Sequence, residues 1–249
     1  MNKRHYDIVQ WVNKHGRQTL QSTADEFGVS VQTIRSDIRI LAEKGLVLRS
    51  HGEVIPFPHR ENISFDQRRI RNALGKKHIA SLCISKIADY QSIFLGSGSS
   101  VAEVASQLNA FQGLQVMTTN LHAARNLCEH PDCELTISGG RVRMRDQDVI
   151  GGDAMMFFQR YRADIGIFSV ATVNKHGSLF DFTDDEVMAR QALVEHCHYR
   201  VLVIDSTKFE KESRCLWGKM SDYDCVITDQ KPSSSLLSML HYQGVEILY

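Results

Sequence analysis

Three residues, Gly28-Val29-Ser30, constrain this chain more than any others. They interrupt two short stretches of helical periodicity. Before them, Leu20, Ala24 and Phe27 share one face of a helix over about 20–27. After them, Ile34, Ile38 and Leu41 recur at i, i+4 and i+7, which predicts a second helix over about 31–44. Gly28 suits a left-handed turn, Val29 a core plug and Ser30 a helix cap. An earlier helix over about 3–14 carries Ile8, Val9, Trp11 and Val12 and stops at Gly16. Two helices joined by a tight glycine turn make a helix-turn-helix.

The outward face of the second helix carries the chemistry. Gln32, Arg35, Ser36 and Arg39 fall at i, i+3, i+4 and i+7, a polar and basic stripe that starts near the helix N-terminus. A recognition helix needs that layout, because its first turns reach base edges in the major groove. Gln reads adenine bidentately and Arg reads guanine. The competing reading is a solvated face on an ordinary helix pair. Two β-prone runs, 46–48 and 54–55, then flank Arg49-Ser50-His51-Gly52, as in a hairpin wing whose tip touches phosphate. The candidate DNA-contacting residues are Ser30, Gln32, Thr33, Arg35, Ser36, Arg39, Arg49 and His51. Asp37, among them in sequence, is expected to pair with arginines rather than to read a base.

Val29-Ser30-x-x-Thr33-Ile34-Arg35-x-Asp37, followed by Leu41, Gly45, Arg49 and His51-Gly52, resembles the winged helix-turn-helix of the DeoR family of bacterial transcriptional regulators. Two departures stand out. Ser36 replaces a second arginine, and Glu53-Val54 replaces a glycine and an alanine. They bear on the operator sequence and the shape of the wing.

Charge agrees once it is divided. The chain has 29 Lys+Arg and 29 Asp+Glu, but residues 1–80 hold 14 basic and 8 acidic residues, while 81–249 hold 15 and 21. A basic first third joined to an acidic remainder suggests a nucleic-acid module fused to something else. No run of about 18 apolar residues predicts a membrane helix. The N-terminus has no apolar stretch behind its charges, so a cytosolic protein without a membrane partner is expected. The six cysteines form no Cys-x-x-Cys pair, and His196-Cys197-His198 would not converge on a metal from a strand, so neither a metal nor another cofactor is expected.

Pro56-Phe57-Pro58-His59 marks the join. The expected division is a DNA-binding domain over 1–56, a basic linker over 57–75 and a larger domain over 76–249. In the larger domain apolar strands near 92–95, 114–118, 134–137, 165–170, 199–204, 226–227 and 245–248 alternate with helices near 79–88, 100–108, 121–127 and 185–197. That alternation indicates an α/β fold with a largely parallel sheet. Ligands bind beyond the carboxyl ends of such strands. Those ends carry Gly96-Ser97-Gly98-Ser99-Ser100, Thr118-Thr119-Asn120, Gly139-Gly140 and Asp205-Ser206-Thr207-Lys208.

The resemblance continues through this half, and 177–209 looks most like the glycerol-3-phosphate repressor branch. It implies an effector domain of the ribose-5-phosphate isomerase-like fold. It also implies that Ser97, Gly98, Ser99 and Ser100 hold an effector phosphate and that Asn120, Asp205 and Lys208 line the same pocket. Gly139, Gly140 and Arg190 complete the candidate set. Here Gly96 stands where the family often has Asp, Thr172 and Asn174 where it has Gly and Asp, and Arg190 where it has Lys. The expectation is a homo-oligomeric, non-enzymatic regulator, a repressor released from its DNA operator by a phosphorylated sugar or polyol. The alternatives are an isomerase-like enzyme and a regulator whose effector domain no longer takes sugar phosphate.

Overall fold

The computed structural model describes residues 3–43, 46–57 and 64–249. Met1 and Asn2, the expected helix end at Lys44, Gly45 of the wing motif, and Pro58-His59 of the join lie outside the described residues. The chain divides into two units, Met1–Ala73 and Leu74–Tyr249.

The first unit contains α1 (Lys3–His15), β1 (Gln18–Thr19), α2 (Leu20–Phe27), α3 (Val31–Glu43), β2 (Val47–Ser50), β3 (Glu53–Pro56) and α4 (Phe65–Ile70). Strands β2 and β3 form the expected hairpin, with Ser50 opposite Glu53. The two-residue β1 adds a third strand through Gln18 opposite Val54; two residues carry no alternation by which the sequence could announce it. Ile8, Val12, Leu20, Ala24, Ile34, Ile38, Leu41, Val47 and Val54 make one core. Each large aliphatic among them contributes about 1.5–3 kcal/mol through burial. The segment read as linker contains α4, which buries Phe65 and opens with a capping box between Ser64 and Gln67.

The second unit begins within α5 (Ala73–Cys83). It continues through β4 (Ser92–Leu95), α6 (Ser99–Ala105), β5 (Leu114–Thr118), α7 (Leu121–Leu127), β6 (Cys133–Ile137), β7 (Arg141–Arg143), β8 (Asp148–Ile150) and α8 (Gly152–Gln159). Then come β9 (Ala163–Phe168), β10 (Thr172–Val173), β11 (Ser178–Asp181), α9 (Asp184–Glu195), β12 (Cys197–Ile204), β13 (Cys215–Lys219), β14 (Cys225–Thr228), α10 (Ser234–Tyr242) and β15 (Glu246–Leu248). Seven strands form one parallel sheet in the order β15-β14-β12-β9-β4-β5-β6.

The two-residue period of a strand divides the side chains between its faces. Ile93, Leu95, Val201 and Val203 meet α5, α6 and α7 on one side. Phe94, Leu202 and Ile204 meet α8, α9 and α10 on the other. Because every strand in the sheet is parallel, all seven carboxyl ends lie along one edge. The small antiparallel sheet β10-β11-β13, the β7–β8 hairpin, α8 and α10 are additions to the sequence expectation.

Candidate functional site

The turn before α3 forms as its residues dictate. Gly28 sits at φ +61° and its N–H reaches the carbonyls of Ala24 and Asp25. The Thr33 N–H donates to Ser30 Oγ at 3.1 Å, and the Ser30 and Thr33 hydroxyls lie 2.8 Å apart. These two candidates therefore cap the helix. Gln32, Arg35, Ser36 and Arg39 stand exposed on the next turns, and Arg35 Nη1 donates to Gln32 Oε1 at 3.4 Å.

Asp37 points the other way. Arg4 Nε donates to its Oδ2 at 2.8 Å, Arg4 Nη2 to its Oδ1 at 3.2 Å, and His5 Nε2 lies 2.9 Å from Oδ1. Its partners come from α1, not from its own helix. Burial pushes this carboxyl up, but the hydrogen bonds from Arg4 and His5 outweigh it and hold it below the usual carboxylate range. The wing turns at His51, φ +40°, and Gly52, φ +85°. Arg49 and His51 are exposed, and Glu53 pairs with Arg17 at 3.3 Å. An open cleft of about 970 Å³ runs between α3 and the wing, lined among others by Arg35, Arg39, Arg49 and His51. A basic cleft bordered by a helix and a hairpin suits a nucleic-acid backbone.

In the second unit the strand ends are drawn together by hydrogen bonds. Gly98 takes φ +108° ahead of α6. Asn120 Nδ2 donates to the carbonyls of Gly96 at 3.3 Å and Gly98 at 3.1 Å, while its Oδ1 accepts the N–H groups of His122 and Ala123. Asn120 thus clamps the glycine loop to the start of α7 and uses its whole amide in doing so. Lys208 Nζ donates to Ser169 Oγ and to the Val170 carbonyl, both at 2.8 Å. Asp205 Oδ1 accepts the Thr207 N–H. Ser99 and Ser100 are buried, and Ser100 Oγ has no hydrogen-bond partner among the described residues.

Beside the loop lies a cavity of about 20 Å³, walled by Gly96 and Ser97, Thr119, Asp148–Ile150, Phe158, and Asp185, Glu186, Ala189, Arg190 and Leu193. Of the candidate effector residues, Ser97 and Arg190 line it. Gly98, Ser99, Ser100, Asn120, Asp205, Lys208, Gly139 and Gly140 do not: Gly139 is exposed, and Gly140, at φ +125°, lies against Val149 and Asp153.

Arg190 Nε donates to Asp181 Oδ2 at 2.9 Å, and Nη1 donates to the Ser169 carbonyl. Its guanidinium sits 5.4 Å from the Trp217 ring centroid. Burial raises the Asp181 carboxyl, more than Arg190 lowers it, to about 6.

Four residues around this cavity carry charge that sequence reasoning did not place: Arg143, Asp148, Asp181 and Asp185. Arg143 reaches Asp146 at 3.0 Å, Asp148 at 2.7 Å and Glu186 at 2.7 Å. Burial raises Asp148, against the pull of Arg143. Burial also raises Glu186, but Arg143 outweighs it and leaves that carboxyl below its usual range. The only sequence signal for Arg143 was an arginine beside Asp146 and Asp148.

His196 ends α9 and Cys197 begins β12, so the His-Cys-His run splits between two elements. Among the described residues no cluster of three or more His, Cys, Asp and Glu side chains is arranged to hold a metal. No described helix is long and apolar enough to cross a membrane.

Residues 4–56 match the DeoR-like helix-turn-helix domain, and residues 71–230 match the DeoR C terminal sensor domain. The chain is 31% identical to the glycerol-3-phosphate regulon repressor of Escherichia coli K12, over 98% of this chain and 97% of that protein. It is 30% identical to the HTH-type transcriptional repressor CsqR of the same organism, over 99% and 95%. Among solved structures, ribose 5-phosphate isomerase from Plasmodium falciparum aligns at a TM-score of 0.39 and 13% identity, covering 54% of this chain and 52% of that one.

Proposed function

The chain belongs to the DeoR family and is a DNA-binding transcriptional regulator, and from that premise we propose that it is a repressor of a carbohydrate or polyol operon, released by a phosphorylated sugar or polyol. One observation carries the DNA side of this reading. Gln32, Arg35, Ser36 and Arg39 stand exposed on a helix whose opposite face is pinned by Asp37. In this reading Gln32 and Arg35 reach base edges, while Arg39, Arg49 and His51 meet phosphate. Two recognition helices from a symmetric oligomer read two half-sites.

The effector site lies at the strand ends. Its phosphate meets Ser97, Gly98, Ser99 and Ser100, and the Ser100 hydroxyl, without a hydrogen bond among the described residues, supports this placement. Lys208 supplies the nearby cation. Asn120 and Asp205 act here by holding the loops that shape the site.

The same unit serves binding and not turnover. A sugar-phosphate isomerase needs a carboxylate base free to move a proton. Glu186 accepts the N–H groups of Phe182 and Thr183 as the cap of α9, and Asp205 accepts that of Thr207. Footprinting across the genome, followed by release of the bound DNA with a panel of sugar and polyol phosphates, tests the proposal. A ligand at 100 times its dissociation constant should also stabilise the protein by about 2.7 kcal/mol. Operator release by none of the phosphates would remove the effector reading, and measurable isomerase turnover would remove the non-enzymatic one.

A further inference from the structure

The cavity at the strand ends has a volume of about 20 Å³, room for about one water molecule. Even a three-carbon phosphate ester is far larger. The site as it stands is too narrow for such a ligand, and its walls show what narrows it. Asp148, Val149 and Ile150 of β8 form one side, while Asp185, Glu186, Ala189, Arg190 and Leu193 of α9 form the other.

The β7–β8 hairpin rests on one edge of the domain. There the Val149 N–H donates to the Thr119 carbonyl at 2.9 Å, the Leu121 N–H donates to the Gln147 carbonyl at 3.2 Å, and His122 Nε2 meets Gln147 Oε1 at 2.7 Å. Across the cavity the hairpin is tied to α9 by two ion pairs, Arg143 to Glu186 at 2.7 Å and Arg141 to Asp185 at 3.4 Å. Arg143 is the buried one, with 15% of its side chain exposed. Arg141 is 74% exposed, so solvent screens its pair.

Both ends of the hairpin are glycine pairs. Gly139-Gly140 precedes β7 and Gly151-Gly152 follows β8. Gly140 and Gly151 take φ +125° and +91°, and Gly139, Gly151 and Gly152 have open space where a side chain would sit. A hinge needs residues that absorb a change of φ and ψ without a clash.

We propose that the hairpin Arg141–Ile150 is a flap over the effector site, that Arg143 is its latch, and that Glu186 takes a hydroxyl group of the effector once the latch releases it, while Asp148 stays with Arg143 on the hairpin. The proposal rests on the effector reading above. In the closed state the Arg143 guanidinium pairs with Asp148 of its own hairpin and with Glu186 of α9. When the flap pivots on the Thr119–His122 edge, the pair to Glu186 breaks and the cavity widens. A buried carboxylate that loses its cation needs new donors, and the hydroxyls of a sugar or polyol supply them. The glycine loop holds the phosphate at the other end. Inorganic phosphate fits the loop but gives Glu186 no replacement for Arg143. The site thus selects a hydroxylated phosphate ester over phosphate alone.

Hydrogen exchange on the full chain tests the latch. Arg143→Gln should speed exchange of the amides in 139–152 at least about tenfold, with the seven-stranded sheet unchanged, and Arg143→Lys should fall between. Unchanged exchange in Arg143→Gln shows that there is no latch. Acceleration spread over the whole domain shows that Arg143 only holds the fold, and either result overturns the proposal.

Glu186→Gln tests the hydroxyl contact, because a glutamine keeps the cap on α9. Thermal-shift titrations with sn-glycerol 3-phosphate, ribose 5-phosphate and inorganic phosphate should show at least about a tenfold loss of apparent affinity for the two esters and none for phosphate. Equal losses on all three, or no loss, overturn the hydroxyl assignment. If the unaltered protein responds to no phosphate, the effector reading fails and the hydroxyl assignment fails with it. The exchange experiment still decides the flap.

Discussion

Asp37 and Asp181 are both buried carboxylates, 5% and 2% exposed, and they sit on opposite sides of the usual carboxylate range. Asp37 lies in the small unit, where Arg4 and His5 outweigh its burial. Asp181 lies in the large unit, where burial outweighs Arg190 and raises it to about 6. The contrast extends to the residues around them. In the small unit the candidate base-reading side chains point to solvent and the ion cluster sits on the opposite face of the same helix. In the large unit Arg190 lines the cavity and also holds Asp181 and the Ser169 carbonyl. The candidate functional side chains and the ion cluster are separate in the first unit, whereas one side chain belongs to both in the second.

Four measurements test that difference. The largest effect is expected from Arg190→Ala, which leaves Asp181 buried without its partner and should cost the large unit about 3–5 kcal/mol in urea unfolding. A loss below about 1 kcal/mol would show that Arg190 is not structural. Next is the pH dependence of stability. Asp181 is raised from 3.8 to about 6. Its contribution is therefore fully present below pH 3.8 and is lost as pH rises through about 6, by up to about 3 kcal/mol. Comparing the intact protein with Asp181→Asn between pH 4 and 7 isolates this slope, which should be absent in the variant. The lowered Asp37 has the reverse sign: its stabilisation is lost as pH falls through its folded value.

Gln32→Ala and Arg35→Ala should each cost about 1–3 kcal/mol of operator affinity and relax base preference, with unfolding free energy changed by no more than about 0.5 kcal/mol. A comparable loss of stability would erase the contrast between the units. The smallest effect belongs to Arg49→Ala, which should weaken binding to all sequences alike and reduce the salt slope by about 1. Sequence-dependent weakening would place Arg49 on a base.

What the sequence disclosed follows the same division. Gly28, Ser30 and the apolar positions of α3 act on neighbours within one or two turns, so their roles could be read in place. Strands β4 and β5 and helix α7 appear at the predicted residues, because alternation and capping are local signals. Arg143 could not be read this way. One of its partners, Glu186, lies on a different element, and β7 and β8 are too short to show a period. Gly139 and Gly140 were visible as a glycine pair at a strand end, but a strand end does not distinguish a pocket wall from a hinge. Asn120 reads in the sequence as a pocket-lining residue from its place at a strand end, whereas its amide is committed to the loop and to α7.

The Asn120 clamp has a consequence for a chain still being synthesised. Its links to Gly96 and Gly98 span 24 and 22 residues, so the glycine loop can lock as soon as α7 has emerged, with β6 and every later strand unmade. The outer tie of the hairpin, Arg141 to Asp185, spans 44 residues and must wait for α9. Synthesis delivers about 5–20 residues per second. The residues of the clamp are therefore all present seconds before those the hairpin closes against.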